Sequence, residues 1–286
     1  MFRSIRPILL AGLLAGICGT ATAADLYDPP VVETPPPVTY EPEVVEYGGW
    51  YIRGDLDYHM STFKGAEYIT YGVTGCCAPL PGTGTFDFGD LKGAFSVGGG
   101  VGYQVNKYLR ADLTVDYMFG SEFTGQTTGW CGAIVCRSVD RSSYSALLMM
   151  ANAYVDIGTW HGFTPYLGAG IGGAHVKWKN LENTVGGITT THEGAKGMRF
   201  AWALMAGTSY CLTDKLKLDV GYRYARINGG RMFELAPAGP GGAGPGFDEG
   251  FNIHEGRAGL RYQFGGASGC HEPEPLPYEP EPIYTK

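Results

Sequence analysis

The sequence predicts an all-β fold: an eight-stranded antiparallel transmembrane up-and-down β-barrel with disordered, proline-rich ends. Three observations predict it. Eight stretches alternate apolar with polar residues, and the connections between them are alternately short and long. The 286 residues also include 46 glycines and 19 tyrosines but only 17% charged residues, a composition of strands and turns rather than of helices.

At the N-terminus, Arg3 and Arg6 precede an apolar run from Ile8 to Ile17 and then Ala21-Thr22-Ala23. This predicts a signal peptide over 1–23, cleaved after Ala23. Ile17 is the wrong neighbour for lipoprotein processing at Cys18, so Cys18 is read as part of the discarded peptide. No later segment approaches the roughly 18 consecutive apolar residues of a membrane-spanning helix, so any crossing is by strands. Residues 24–46 hold six acids, no Lys or Arg, and prolines from Pro29 to Pro42; they read as an extended periplasmic linker. Residues 265–286 read as a second acidic, proline-rich tail. Losing Arg3 and Arg6 takes the net charge from −7 to −9, and the ends carry the excess: 47–270 contains 18 acidic and 18 basic residues. That balance offers no basic face for nucleic acid.

The body, 47–264, is read as the barrel. Its stretches are 50–60, 93–104, 108–119, 143–157, 163–177, 198–210, 215–227 and 251–264, each long enough for a tilted membrane strand of about 9–11 residues. Short connections fall at Asn106-Lys107, Gly158 to Gly162 and Thr213-Asp214; long ones span 61–92, 120–142, 178–197 and 228–250. Alternation assigns the faces. In the seventh stretch Leu216, Leu218, Val220, Tyr222 and Tyr224 oppose Lys217, Asp219 and Arg223. In the third, Ala111, Leu113, Val115, Tyr117 and Phe119 oppose Arg110, Asp112, Thr114 and Asp116. The lumen of eight strands is just wide enough for side chains. The inward charges Arg53, Asp55, Asp57, Arg110, Asp112, Asp116, Asp219, Arg223, Glu255, Arg257 and Arg261 carry both signs and are expected to form one interstrand network that plugs it. The alternative is a selectivity lining for a narrow channel.

The last stretch, Arg257-Ala-Gly-Leu-Arg-Tyr-Gln-Phe264, has a polar residue at Arg257, then Gly259, then Tyr262 and Phe264 on one face. It resembles the assembly signal that closes bacterial outer-membrane barrels. With the opening Tyr47-Gly48-Gly49-Trp50-Tyr51-Ile52, the body is similar to the small eight-stranded barrels of the OmpA-like superfamily, in particular the single-domain surface proteins of alphaproteobacteria. Two departures stand out: 22 residues follow Phe264, and nothing reads as a peptidoglycan-binding domain, so that activity is not carried over. The resemblance implies the bacterial outer membrane with both termini periplasmic, with outer-membrane lipid, lipopolysaccharide and the barrel-assembly machinery as partners. The four long loops would face the exterior for a ligand the sequence does not name. It implies a structural and interactive role in the envelope, with a porin-like channel as the alternative.

Six cysteines follow the cleavage site. Cys76, Cys77, Cys131 and Cys136 fall in the first two long loops, Cys211 at a short turn and Cys270 beyond the last strand. In an oxidising compartment disulfides are the default; Cys131 with Cys136 and Cys211 with Cys270 are the candidate pairs, and the pairing of Cys76 and Cys77 stays open. The spacing is not that of paired zinc ligands. A lipid-modifying enzyme would need a compact Ser-His or His-acid constellation. His59, His161, His175, His192 and His254 are instead scattered, so no catalytic residue, metal or cofactor is assigned.

Overall fold

The computed structural model describes residues 48–71, 82–131, 134–236, 242–265 and 270. The signal peptide, the linker, most of the tail, Cys76, Cys77 and the Cys131 side chain lie outside the described residues. Eight long strands form the frame: β1 (Gly49–Phe63), β2 (Ala94–Gln104), β3 (Leu109–Gln126), β4 (Val139–Asp156), β5 (Phe163–Trp178), β6 (Lys196–Cys211), β7 (Leu216–Phe233) and β8 (Ala243–Phe264). Each pairs antiparallel with its neighbour in sequence, and β8 pairs back onto β1 from Trp50↔Phe264 to Phe63↔Phe251, which closes the ring. Closure removes the open edges that a membrane cannot tolerate.

Local chemistry sets the short turns. Asn106 Oδ1 accepts from the Tyr108 and Leu109 amides, and Thr213 Oγ1 accepts from those of Lys215 and Leu216, so each turn is held by its own first side chain. The third bends at Gly158, His161 and Gly162, all with positive φ.

At the opposite end the strands outrun the sequence reading. β3 continues to Gln126, β4 begins at Val139, β7 continues to Phe233 and β8 begins at Ala243, so much of 120–142 and 228–250 is ladder rather than loop. The glycine-rich composition of 228–250 conceals this, because glycine lowers strand propensity without preventing pairing where two backbones approach closely. Within 178–197 a hairpin joins Leu181–Val185 to Ile188–His192 through Gly186-Gly187, whose φ values of 58° and 84° are those a two-residue hairpin turn demands. Further short strands, Ala66–Thr70 with Gly82–Thr85 and Thr128–Cys131 with Ile134–Arg137, build up the same end.

The outer surface is apolar and exposed, the reverse of a soluble protein: Trp50, Leu113 and Ile171 are each more than 60% exposed. Aromatic residues border this surface on both sides. Trp50, Tyr103, Phe163, Tyr210, Tyr262 and Phe264 stand near the short turns, and Tyr58, Phe95, Tyr117, Phe119, Trp202 and Tyr222 stand toward the loops. Eight residues separate Trp50 from Tyr58. At about 3.3 Å per residue and a tilt near 40° that is roughly 20 Å of height, comparable with the lipid-facing band of an outer-membrane barrel.

Candidate functional site

The lumen is filled in layers. Nearest the short turns, inward positions of β1, β3, β7 and β8 supply the charges, and every one of the eleven inward residues named from the sequence is buried there. Arg53 donates to both oxygens of Asp55 at 2.8 and 2.9 Å and to Asp112 at 3.0 Å. Arg261 holds Asp219 at 3.0 Å and Ser209 at 2.9 Å. Arg223 reaches Asp116 at 2.5 Å and also bonds Glu255; Arg257 lies 3.3 Å from both Asp55 and Asp57 and 3.7 Å from Asp116. These last two arginines bridge four carboxylates from three strands, so the network is shared rather than pairwise.

Several members were not legible in the sequence. Arg110 pairs with Asp156, at 3.0 Å, rather than with any acid of the inward set, because β3–β4 register places Asp156 one diagonal step from it. Its guanidinium also lies 4.0 Å from the centre of the Tyr154 ring and 4.6 Å from that of Tyr166. Tyr51, Tyr154, Asn152 and Gln104 complete the layer through hydrogen bonds. His59, one of the scattered histidines, is fully buried and directly opposite Glu255. Space for these groups comes from glycine: a Cβ on Gly98 would collide with the Asp116 carboxylate, and one on Gly259 with that of Asp55. Gly259 of the closing-strand motif therefore has a packing reason to be glycine.

Toward the loops the filling changes to an apolar layer that the face assignment did not foresee. Met118, Leu148, Met150, Val176, Trp178, Ile227, Phe251 and Ile253 are buried, with Tyr144 stacked on Phe251 at 4.4 Å. The available signal was the run Ala146-Leu-Leu-Met-Met150, where alternation breaks down because both faces are apolar. One ion pair crosses this layer: Arg199 clasps Asp248 at 2.6 and 2.8 Å, and Trp178 Nε1 donates to Asp248 at 3.0 Å.

Above the apolar layer all four loop regions converge on a cleft of about 330 Å³. Tyr68 and Phe86 come from the first, Thr127 and Ser138 from the second, Leu181, Asn183 and His192 from the third, and Phe233 from β7. Asp140 lies beneath, accepting from Ser138 at 2.7 Å and from Asn183 at 2.5 Å. Burial pushes the Asp140 carboxyl up, against the pull of those two donors. Burial pushes His192 down; its ring packs 5.0 Å from Phe233 and its Nδ1 faces the Glu234 carbonyl at 3.3 Å.

Among the other candidate residues, Tyr262 and Phe264 face outward, edge to face at 5.1 Å, while Arg257 faces the lumen. The sulfurs of Cys211 and Cys270 lie 2.07 Å apart. Cys136 is disulfide-bonded, but its pairing with Cys131 lies outside the described residues. His254 faces outward, and its Nδ1 lies 2.5 Å from the Tyr222 hydroxyl. No cluster of potential metal-binding side chains occurs among the described residues.

An uncharacterized protein of Brucella abortus is 39% identical over 90% of this chain and 97% of its own length. Outer membrane protein PagN of Salmonella typhimurium is 34% identical over 49% of this chain and 60% of its own length. A Rickettsia massiliae protein described as a candidate adhesin is 26% identical over 57% and 71%. Among solved structures, Neisserial surface protein A superposes with a TM-score of 0.40 at 20% identity, over 77% of this chain and all of that one. The model of the outer membrane protein beta-barrel domain matches residues 12–264 and so spans the whole closed ring of strands, lipid-facing outside and charged within: the chain belongs to the outer membrane β-barrel protein family.

Proposed function

We propose that this protein is a non-catalytic outer-membrane barrel with a plugged lumen, which contributes to envelope integrity and presents its loop-end hairpins at the cell surface for interaction. The observation that carries the reading is the pair of fillings in series. An ion-pair network and an apolar layer occupy successive heights of a lumen that eight strands already make narrow. The short turns and both ends of the chain then face the periplasm, and the four-loop cleft faces outward, where an extracellular ligand would meet it. Outer-membrane lipid, including lipopolysaccharide, surrounds the band, and the barrel-assembly machinery receives the closing strand. The relatives support a surface role, since one is described as a candidate adhesin and another as an outer membrane protein.

Planar-bilayer recording with surface labelling of intact cells tests this reading. The purified barrel should give no stable conductance steps, and a cysteine placed at the tip position Ile188 should react with a membrane-impermeant maleimide on whole cells. Reproducible steps that change when Arg257 is replaced would put the narrow-channel reading in its place.

A further inference from the structure

Lys177 on β5 and Lys196 on β6 are direct cross-strand partners, and both are exposed on the outer face of the barrel. Like charges set directly opposite each other on a sheet destabilise it unless something of opposite sign lies between them. The next outward pair down the same strands is His175 with Met198, followed by Gly173 with Phe200. The lysines therefore stand about 7 Å along the strand beyond the apolar surface, at the level where lipid headgroups begin. Lys179, just past β5, lines the same open groove, and Arg141 and Lys179 line the groove beside it. The exposed ion pairs among the described residues are Lys92–Glu122 and Arg231–Glu234, so none of these four cations has a carboxylate within pairing distance. Glu182, Glu193 and Glu234 also border the grooves; Glu234 is paired with Arg231 and Glu182 stands directly opposite Arg141, which leaves the three lysines against Glu193 on this sector of the rim.

We infer that the Lys177–Lys196 pair, with Lys179, is a binding site for the phosphate of an outer-leaflet glycolipid. A phosphate between the two ammonium groups converts a repulsive cross-strand pair into two charge-assisted contacts, while the lipid's acyl chains run down the apolar face below. Simple snorkelling of lysines from the band into water would put the same residues at the same height, but it requires no phosphate. The inference rests on the orientation proposed above, with the loop end outward, and it deepens the lipid-partner reading.

The full-length protein in neutral detergent is titrated with diphosphoryl lipid A, with dephosphorylated lipid A of the same acyl chains, and with inorganic phosphate. Retention is read by native mass spectrometry and by the thermal midpoint of the folded band. The expected result is tight retention of diphosphoryl lipid A, at least tenfold weaker retention of the dephosphorylated lipid, and no effect of inorganic phosphate at the same concentration. K177Q/K196Q should lose about tenfold in lipid A retention while remaining folded, and K64Q, elsewhere on the loop end, should lose none. Equal retention of both lipids, undiminished retention by the double variant, or competition by inorganic phosphate at equal concentration would each overturn the site. The maleimide test on whole cells reports orientation separately, so a reversed barrel and a missing site give different results.

Discussion

Arg257 stands directly opposite Asp57 in the β1–β8 register and lies close to Asp55 and Asp116 as well, so its one positive charge is shared among three carboxylates. Removing it leaves buried anions with fewer partners. Breaking a well-buried pair costs about 3–5 kcal/mol. Arg257→Ala is therefore expected to destabilise the barrel by roughly that much in urea titrations in lipid; near-wild-type stability with altered ion selectivity would argue for a water-filled lumen. Replacement in the other direction should fail too. Gly98→Ala drives a methyl group into Asp116, and overpacking of this kind costs about 1–3 kcal/mol, read in the same titration. The two substitutions test one layer from both sides, by deleting a charge and by deleting the space made for one.

At the scale of elements, the closing strand and the third loop hairpin carry separate expectations. Tyr262 and Phe264 lie exposed on the outer face beside the short-turn end, on the side of the strand opposite Arg257 and Arg261, so Tyr262→Ala with Phe264→Ala should reduce the heat-modifiable, membrane-inserted fraction rather than the stability of what does insert. Unchanged assembly would mean that the signal lies elsewhere. In the hairpin Leu181–Val185/Ile188–His192, burial lowers the His192 pKa, so the unfolded hairpin binds more protons than the folded one below the ordinary histidine value of about 6.5. The contribution of the neutral, buried ring is fully present above that value and is lost as pH falls through the folded pKa. Acid should therefore increase protease susceptibility within the hairpin, and His192→Gln should flatten that dependence. The strands were legible in the sequence wherever one face meets lipid and the other meets charge, because the period of two is then explicit, as along β1 and β3. Along β4 and β5 the strands were legible but the apolar filling of their inward side, around Trp178 and Phe251, was not; in 228–250 the strand itself was hidden, because glycine obscures a ladder maintained by backbone pairing. The Arg110–Asp156 partnership was hidden for a third reason: it depends on the interstrand diagonal, which no single strand records.

For the whole molecule, the proposed topology makes a prediction that needs no purification. Protease added to intact cells should cut first in a loop region, and residues 24–46 should be spared; early cleavage there would invert the barrel. Reducing agent should leave the ring closed, because the Cys211–Cys270 contact lies at its edge and the strands are joined by eight ladders. A gel run with and without reductant checks the second statement, since the folded form should keep its anomalous migration in each.

The β1–β8 seam has a consequence for how the ring shuts. It is the one ladder between the two ends of the barrel sequence, and it opposes Asp57 to Arg257, His59 to Glu255 and Asp55 to Gly259. A slip of one residue would turn the charges of the slipped strand toward lipid. A slip of two keeps the faces but spoils the contents. In one direction Asp57 meets Glu255 and His59 meets Ile253; in the other His59 meets Arg257, and Glu255 is left facing Ser61. The last pairing to form thus works as a combination lock: only one alignment of the first and last strands sets Asp57 against Arg257 and His59 against Glu255 together.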